Sequence, residues 1–231
     1  MDDLGMKIIL TLNQVQFGVF MKTIHMVARV RRGDIFAILS PLAGKEFDRE
    51  LGRWVCQRIK ETVYPDLKPF ELYCITNERI GKYGKDAISI LKKLPETREA
   101  EYCDIEMDVH EAYTAIEALD AYSRIKMGQI WAVRDLFYDI HNKDLDRLDR
   151  LLKELAQVAF PEFAGEKHGC WYGIGNKPVG DGQEAFDIQQ VIRYVLAWKL
   201  HPQGGYTVDF QKPMRWGSEP LATIRIEDGE S

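Results

Sequence analysis

YCDIEMDVHEAYTAIEALDAYSRIKMGQ, residues 102–129, holds the pieces that set the fold class. Its first six residues, Tyr102 to Met107, read as a strand. Asp108 then supplies the side-chain oxygen that the free amides of a helix start require. Ala112, Ile116, Leu119 and Tyr122 follow at three- and four-residue spacing as one apolar stripe. Gly128 ends that helix, because glycine adopts the left-handed conformation of a helix terminus without a Cβ clash. The stretch therefore predicts a strand and a capped helix in direct succession.

Working outward toward the C-terminus, a second helix is expected from about Gln129, with Ile130, Val133, Phe137 and Ile140 inward. A third runs from Asp144 with Leu145, Leu148, Leu152 and Leu155 inward, and its Asp146, Arg147, Asp149 and Arg150 read as a solvated, ion-paired face. Three consecutive helices with short links predict a packed bundle over 108–160. Toward the N-terminus, Met6–Leu12 and Met21–Val30 are rich in β-branched residues and read as strands that pair. Phe47, Leu51, Trp54, Val55, Ile59 and Val63 mark an amphipathic helix ending before Pro65. Leu72–Thr76 reads as a strand, Asp86–Leu94 as a short helix stopped by Pro95, and 96–101 as a charged loop. Beyond Pro161 come a glycine- and aromatic-rich stretch, Gly165–Gly182, and a helix, Gln183–Leu200, carrying Phe186, Ile188, Val191, Ile192, Val195 and Trp198. Short strands are expected in Tyr206–Ile226. No internal repeat and no long linker is legible. The expectation is one compact domain over 1–231, with a sheet-rich region over 1–107, a bundle over 108–160, and a region over 161–231 of glycine turn, long helix and terminal strands. Its class is α+β, a mixed or antiparallel sheet from N-terminal and C-terminal strands packed on a central helical bundle.

At 231 residues the chain can bury about 75% of its unfolded surface, and 45% hydrophobic against 29% charged residues is a globular composition. A net charge of −5 excludes a protein built to coat nucleic acid. Basic residues gather at Arg29, Arg31 and Arg32 and at Lys82 and Lys85, either as solvated edges or as a confined anion site. Cys56, Cys74, Cys103 and Cys170 show no zinc spacing and read as free thiols. Without a signal peptide or a membrane-length apolar run, a cytoplasmic location is expected, with no membrane partner.

No residue set presents itself as catalytic. The histidines, His25, His110, His141, His168 and His201, are scattered outside metal-binding helix patterns, and no nucleophile-elbow or kinase motif occurs. No cofactor is expected. The turn Gly173–Asn176 brings glycines before a helix, where backbone amides can face an anion, but Pro178 breaks the dinucleotide pattern. On the helix that follows, Asp187, Gln190 and Tyr194 share a flank beside Arg193 and serve either a polar ligand or an internal network. Arg124 and Gln129 flank the Gly128 corner in the same two-sided way. His168 sits among Cys170, Trp171 and Tyr172, whose rings, with Trp198 and Trp216, offer stacking surface or core.

Residues 105–129 and 173–198 resemble segments of uncharacterised proteins encoded by tailed phages and prophages, an accessory protein family. The matching positions are Arg124, Gly128, Gln129, Gly173, Ile174, Asp187, Gln190 and Arg193. The resemblance covers under a quarter of the chain and implies an origin but no activity. It makes a counter-defence factor in the host cytosol the leading expectation: a non-catalytic binder, also a homo-oligomer, that sequesters a nucleotide-derived signal. The ligand would be held by Arg193, Arg124 and the amides near Gly173, with Trp171 or Tyr172 stacking on it. Asp187, Gln190, Gln129, His168 and Asn176 complete the candidate ligand-binding set. Two alternatives stand beside it. One is a protein inhibitor docking on a host defence enzyme through the 109–159 face, and the other is a small nucleotide hydrolase using His168 with Asp187 or Asp181.

Overall fold

The computed structural model describes residues 5–65, 80–95, 100–140, 144–163 and 171–227. The expected strand 72–76 and most of the loop 96–101 lie outside them, as do His141, His168, Cys74 and Cys170. The class is α+β. A three-stranded antiparallel sheet has β1 (Lys7–Asn13) in the centre, flanked by β2 (Tyr102–Met107) and β3 (Thr223–Glu227). Leu10 pairs with Ile105 on one side and with Ile224 on the other. Cys103, Ile105 and Met107 alternate into the core while Tyr102, Asp104 and Glu106 face outward, as the two-residue period of a half-buried strand requires. The outer face is laced by Lys7–Glu106 (2.8 Å) and Arg225–Asp104 (3.0 Å).

Met21–Val30, expected as a strand paired with β1, is instead the second half of α1 (Gln14–Arg31). Asn13, the last residue of β1, caps α1 through a reciprocal pair: its side chain accepts from the Gln16 amide, and the Gln16 side chain accepts from the Asn13 amide. Phe17, Phe20, Ile24, Val27 and Arg31 then recur at helical spacing, and burial reaches Thr23, Met26, Ala28 and Val30 as well. The exposed strip is narrow, Lys22, His25 and Arg29 at helical spacing, and the β-branched residues of the broad buried face looked like a strand. Among its described residues, the region 1–107, expected as sheet-rich, accordingly holds two strands against α1, α2 (Arg49–Val63) and α3 (Gly81–Lys93).

The same order of elements then occurs a second time, which corrects the expectation of no repeat. Strand β2 ends at Asp108, which caps α4 (Val109–Lys126) reciprocally with Glu111, as Asn13 does with Gln16. Helices α1 and α4 have 18 residues each. Both end on a positive-φ glycine, Gly33 and Gly128, and both enter an eight-residue 3-10 helix, Ile35–Leu42 and Ile130–Phe137. Backbone bonds at the two corners coincide: Asp34 N donates to Arg29 O, Gln129 N to Arg124 O, Ala37 N to Asp34 O and Ala132 N to Gln129 O. Then come α2 and α5 (Leu145–Ala159), 15 residues each, capped by Asp48 and Asp144 and ending at Tyr64-Pro65 and Phe160-Pro161. Finally α3 packs on α1 as α6 (Gly182–Leu200) packs on α4.

Because the equivalent strands pair antiparallel, an approximate two-fold axis passes between β1 and β2. The contacts across it are reciprocal. Arg31 Nη1 donates to Leu136 O (2.6 Å), and the equivalent Lys126 Nζ donates to Pro41 O (3.1 Å), each carbonyl belonging to the other repeat's 3-10 helix. A Cβ on Gly84 would collide with Arg31, and one on Gly182 with Lys126. Arg31, read in the sequence as part of a basic group forming either a solvated edge or a confined anion site, is instead fully buried.

The bundle expected from three consecutive helices is also revised. Its second member is 3-10, with Ile130, Val133 and Leu136 buried at three-residue intervals, the spacing at which side chains eclipse on a 3-10 helix. Its third, α5, packs on that turn and on α2. Leu145, Leu51 and Trp54, expected inward, are exposed. In the tail, only β3 is regular strand. Residues 201–222 form turns and a short 3-10 helix, Val208–Phe210.

Candidate functional site

Two flanks of α6 have different duties. Asp187 points at the tail and accepts the Trp216 amide (2.9 Å) and the Gly217 amide (2.9 Å). Gln190 trades two bonds with the Met214 backbone, and Glu184 takes the Ser218 amide (2.6 Å). This flank clamps the 214–219 segment that leads to β3, so Asp187 and Gln190 serve the internal network. Burial pushes the Asp187 carboxyl up against the opposing pull of those two amides.

One residue around the helix, Phe186, Gln189, Arg193 and Ala197 follow at helical spacing and face Tyr113, Glu117, Asp120 and Arg124 of α4 across a groove of about 830 Å³. The segment Gly204–Phe210 closes the third side, with Trp198 edge-on to Phe210 at 5.3 Å between centroids. Arg124 is held in place: its Nε donates to Asp120 (2.6 Å) and its Nη1 to Gln129 (3.0 Å). Arg193 is not. Its side chain is 13% exposed, and its Nε stands 3.9 Å from Asp209 without a hydrogen bond. Gln189 is 6% exposed and its Oε1 also lacks a partner. Burial pushes the Glu117 carboxyl up, with Asp120 and Asp135 adding to the effect and Arg124 opposing it. The Arg193 guanidinium is pushed down by burial, with Asp209 and Asp120 opposing.

The groove thus combines an under-paired cation, an unfilled amide acceptor, a carboxyl of raised pKa and the rings of Tyr113, Phe186 and Phe210. Of the residues proposed from sequence, it gathers Arg193 and Arg124, with Gln129 positioning the latter. The others are elsewhere. Trp171 lies edge-on to Trp131 (5.6 Å), and Tyr172 packs between Phe160 and Phe163 with its hydroxyl donating to Glu162 (3.0 Å). Gly173 and Asn176 form a closed turn, Asn176 N to Gly173 O at 3.0 Å, pinned by Gln183 donating to Ile174 O (2.7 Å). The turn is structural, and its rings do not reach Arg193. Sequence reasoning missed Glu117, Gln189, Tyr113 and Asp209. The first three were signalled by polar and aromatic residues spaced helically beside Arg124 and Arg193.

Among the described residues no group of His, Cys, Asp and Glu side chains could hold a metal, and no helix is long and apolar enough to cross a membrane. Compared with family models, with curated proteins and with solved structures, the chain matches none.

Proposed function

We propose that the chain is a non-catalytic binding protein whose groove between α4 and α6 takes a small nucleotide-like ligand. The observation that carries this reading is that Arg193 and Gln189, which line the open groove, each keep a buried polar atom, Nε and Oε1, without a hydrogen bond. Buried polar groups are nearly always satisfied, and leaving one unmade costs about 1–3 kcal/mol. A ligand that offers an anionic group to Arg193 and Arg124, donor hydrogens to Gln189 and Glu117, and a flat ring to Tyr113, Phe186 or Phe210 supplies what the groove lacks. The volume also lies within the usual range of small-molecule sites, about 300–1,000 Å³.

The repeat supports the same reading. Its first copy has α3 with 13 residues where the second has α6 with 19, and the extra turns of α6, with the 201–210 segment, build the groove. Sequestration of a nucleotide-derived signal in a phage-infected host is the setting that the phage resemblance suggests for such a binder.

The test is thermal denaturation of the purified protein with a panel of cyclic dinucleotides and ADP-ribose compounds. A ligand at a hundred times its Kd stabilises the native state by about 2.7 kcal/mol. At least one compound is expected to raise the Tm of the wild type and to lose that effect with Arg193→Met. No shift with any of them, well above micromolar concentration, overturns the reading.

A second reading, docking on a protein, is favoured by five large apolar side chains exposed toward the C-terminal end of the chain, Trp198, Tyr206, Val208, Met214 and Trp216. The face expected for docking was 109–159, where Tyr113, Tyr138 and Leu145 are exposed. Light scattering separates self-association through the C-terminal residues from a monomer that needs another partner.

A further inference from the structure

The internal repeat supplies a control for one residue that the groove does not use. Lys60 of α2 occupies the position that Ala156 holds in α5, and its neighbours Arg53 and Cys56 correspond to Asp149 and Leu152. In the second copy two rings lie beside the corresponding corner: Trp171 lies against Trp131, and Phe163 approaches Gly128; the first-copy segment that corresponds to 163–171 lies outside the described residues. In the first copy Phe36 replaces Trp131 and carries the Arg53 guanidinium over its face, 5.3 Å from the centroid. A pocket of about 240 Å³ remains between Gly33–Phe36 and the Arg53–Lys60 face of α2.

Lys60 lines that pocket, is only 4% exposed, and its Nζ has no hydrogen-bond partner. Burial pushes its ammonium down, and Asp34 opposes this. Asp34 is itself engaged, since its Oδ2 accepts from Arg29 Nε (2.9 Å) and Nη2 (2.6 Å). The Cys56 thiol, pushed up to about 12 chiefly by burial, adds no charge. Among the described residues, two cations therefore border the cavity while Asp34, the carboxylate that lines it, is already neutralised by a third. The fold does not require a lysine there, as Ala156 demonstrates, and a buried ammonium without a counter-charge is destabilising.

We propose that this pocket is an oxyanion site in which Lys60 and Arg53 hold a phosphate-type group, separate from the α4–α6 groove. Its volume falls below the lower limit of drug-sized sites, about 300 Å³, and suits a phosphate or a small phosphomonoester better than a whole nucleotide.

The experiment is thermal denaturation in inorganic phosphate and in phenyl phosphate, each against potassium chloride of equal ionic strength. The wild type is expected to melt higher in at least one of them, and the one that shifts it more tells a free ion from an ester. Lys60→Met is expected to abolish the shift while melting above the wild type in chloride, because it removes an unpaired buried charge. Arg53→Gln, at the pocket mouth, is expected to weaken binding about tenfold, the loss of one charge-assisted bond. Arg193→Met should leave the phosphate response intact, so failure of the groove reading does not touch this one. No response of the wild type beyond chloride, a full response of Lys60→Met, or loss of the response in Arg193→Met overturns the proposal.

Discussion

Arg31 ties α1 to the start of α3 and to the second 3-10 helix. Its guanidinium is fully buried, donates to the carbonyls of Ile80 (2.8 Å) and Leu136 (2.6 Å), and pairs with Asp139 at 2.7 Å. Gly81 adopts a positive φ beside it, where a Cβ would meet the guanidinium. Arg31→Met strands a carboxylate and two carbonyls, and denaturant unfolding is expected to report a loss of about 3–5 kcal/mol. Arg31→Lys recovers only a fraction, since a single ammonium cannot serve three acceptors in the geometry of a planar fork. Neither role was legible in the sequence, where RVRR reads as a surface run. The acceptors come from residues that the chain brings back only through α3 and the second 3-10 helix. At Glu117 the folded carboxyl titrates above its ordinary 4.5 because burial disfavours the charge. The folded state thus binds the proton more tightly than the unfolded one. Its contribution is present below 4.5 and is lost as pH rises through the raised value. Glu117→Gln is expected to melt increasingly above the wild type across that rise. A constant difference in Tm between the two at all pH values contradicts the assignment.

The elements were legible where their ends carry chemistry and illegible where burial is uniform. Asp108, Gly128, Pro65 and Asp144 mark real boundaries, and the stripe Ala112, Ile116, Leu119 and Tyr122 is buried as its spacing requires. Helix α1 was missed because its polar strip, Lys22, His25 and Arg29, is narrow beside a broad apolar face rich in β-branched residues; that strip and the Asn13 and Gln16 pair were the available signals. The two reciprocal caps make a matched prediction. Asn13→Ala and Asp108→Ala should each cost about 1 kcal/mol in chemical denaturation for the lost cap, and Asn13→Ala somewhat more, since it also loses the bond that Asn13 Nδ2 donates to Glu219 (2.7 Å). A large cost at one site with none at the other contradicts their equivalence. The candidate site was half legible for a related reason. Arg124 and Arg193 were found, but Asp187 and Gln190 lie on the adjacent flank of α6, about 100° around the helix, and there they hold the 214–217 segment.

For the molecule as a whole, the repeat explains both the fold and the location of its exceptions. Among the paired positions that keep their residue are Arg29 with Arg124, Gly33 with Gly128, Ile35 with Ile130, Ala37 with Ala132, Asp48 with Asp144, Pro65 with Pro161 and Gly84 with Gly182. Most other positions differ, which is why a reading of one sequence passed over the repeat. Two of the differences coincide with cavities. One is the longer α6 with its groove, and the other is Lys60 in place of Ala156. A duplicated scaffold with local departures directs attention to those departures, because packing alone already has a solution in the other copy. Destabilising either reciprocal contact, Arg31 to Leu136 or Lys126 to Pro41, should lower the cooperativity of unfolding for both halves together, since each bond crosses between them. Two separate transitions in calorimetry of the wild type would contradict that coupling. The groove itself is tested most directly by hydrogen–deuterium exchange of the wild type with and without the nucleotide panel. Bound ligand should slow exchange in 113–124, 186–197 and 204–210 and leave the rest of the chain unchanged. Protection confined to the Gly173–Asn176 turn, or none in the three groove segments, would contradict the assignment.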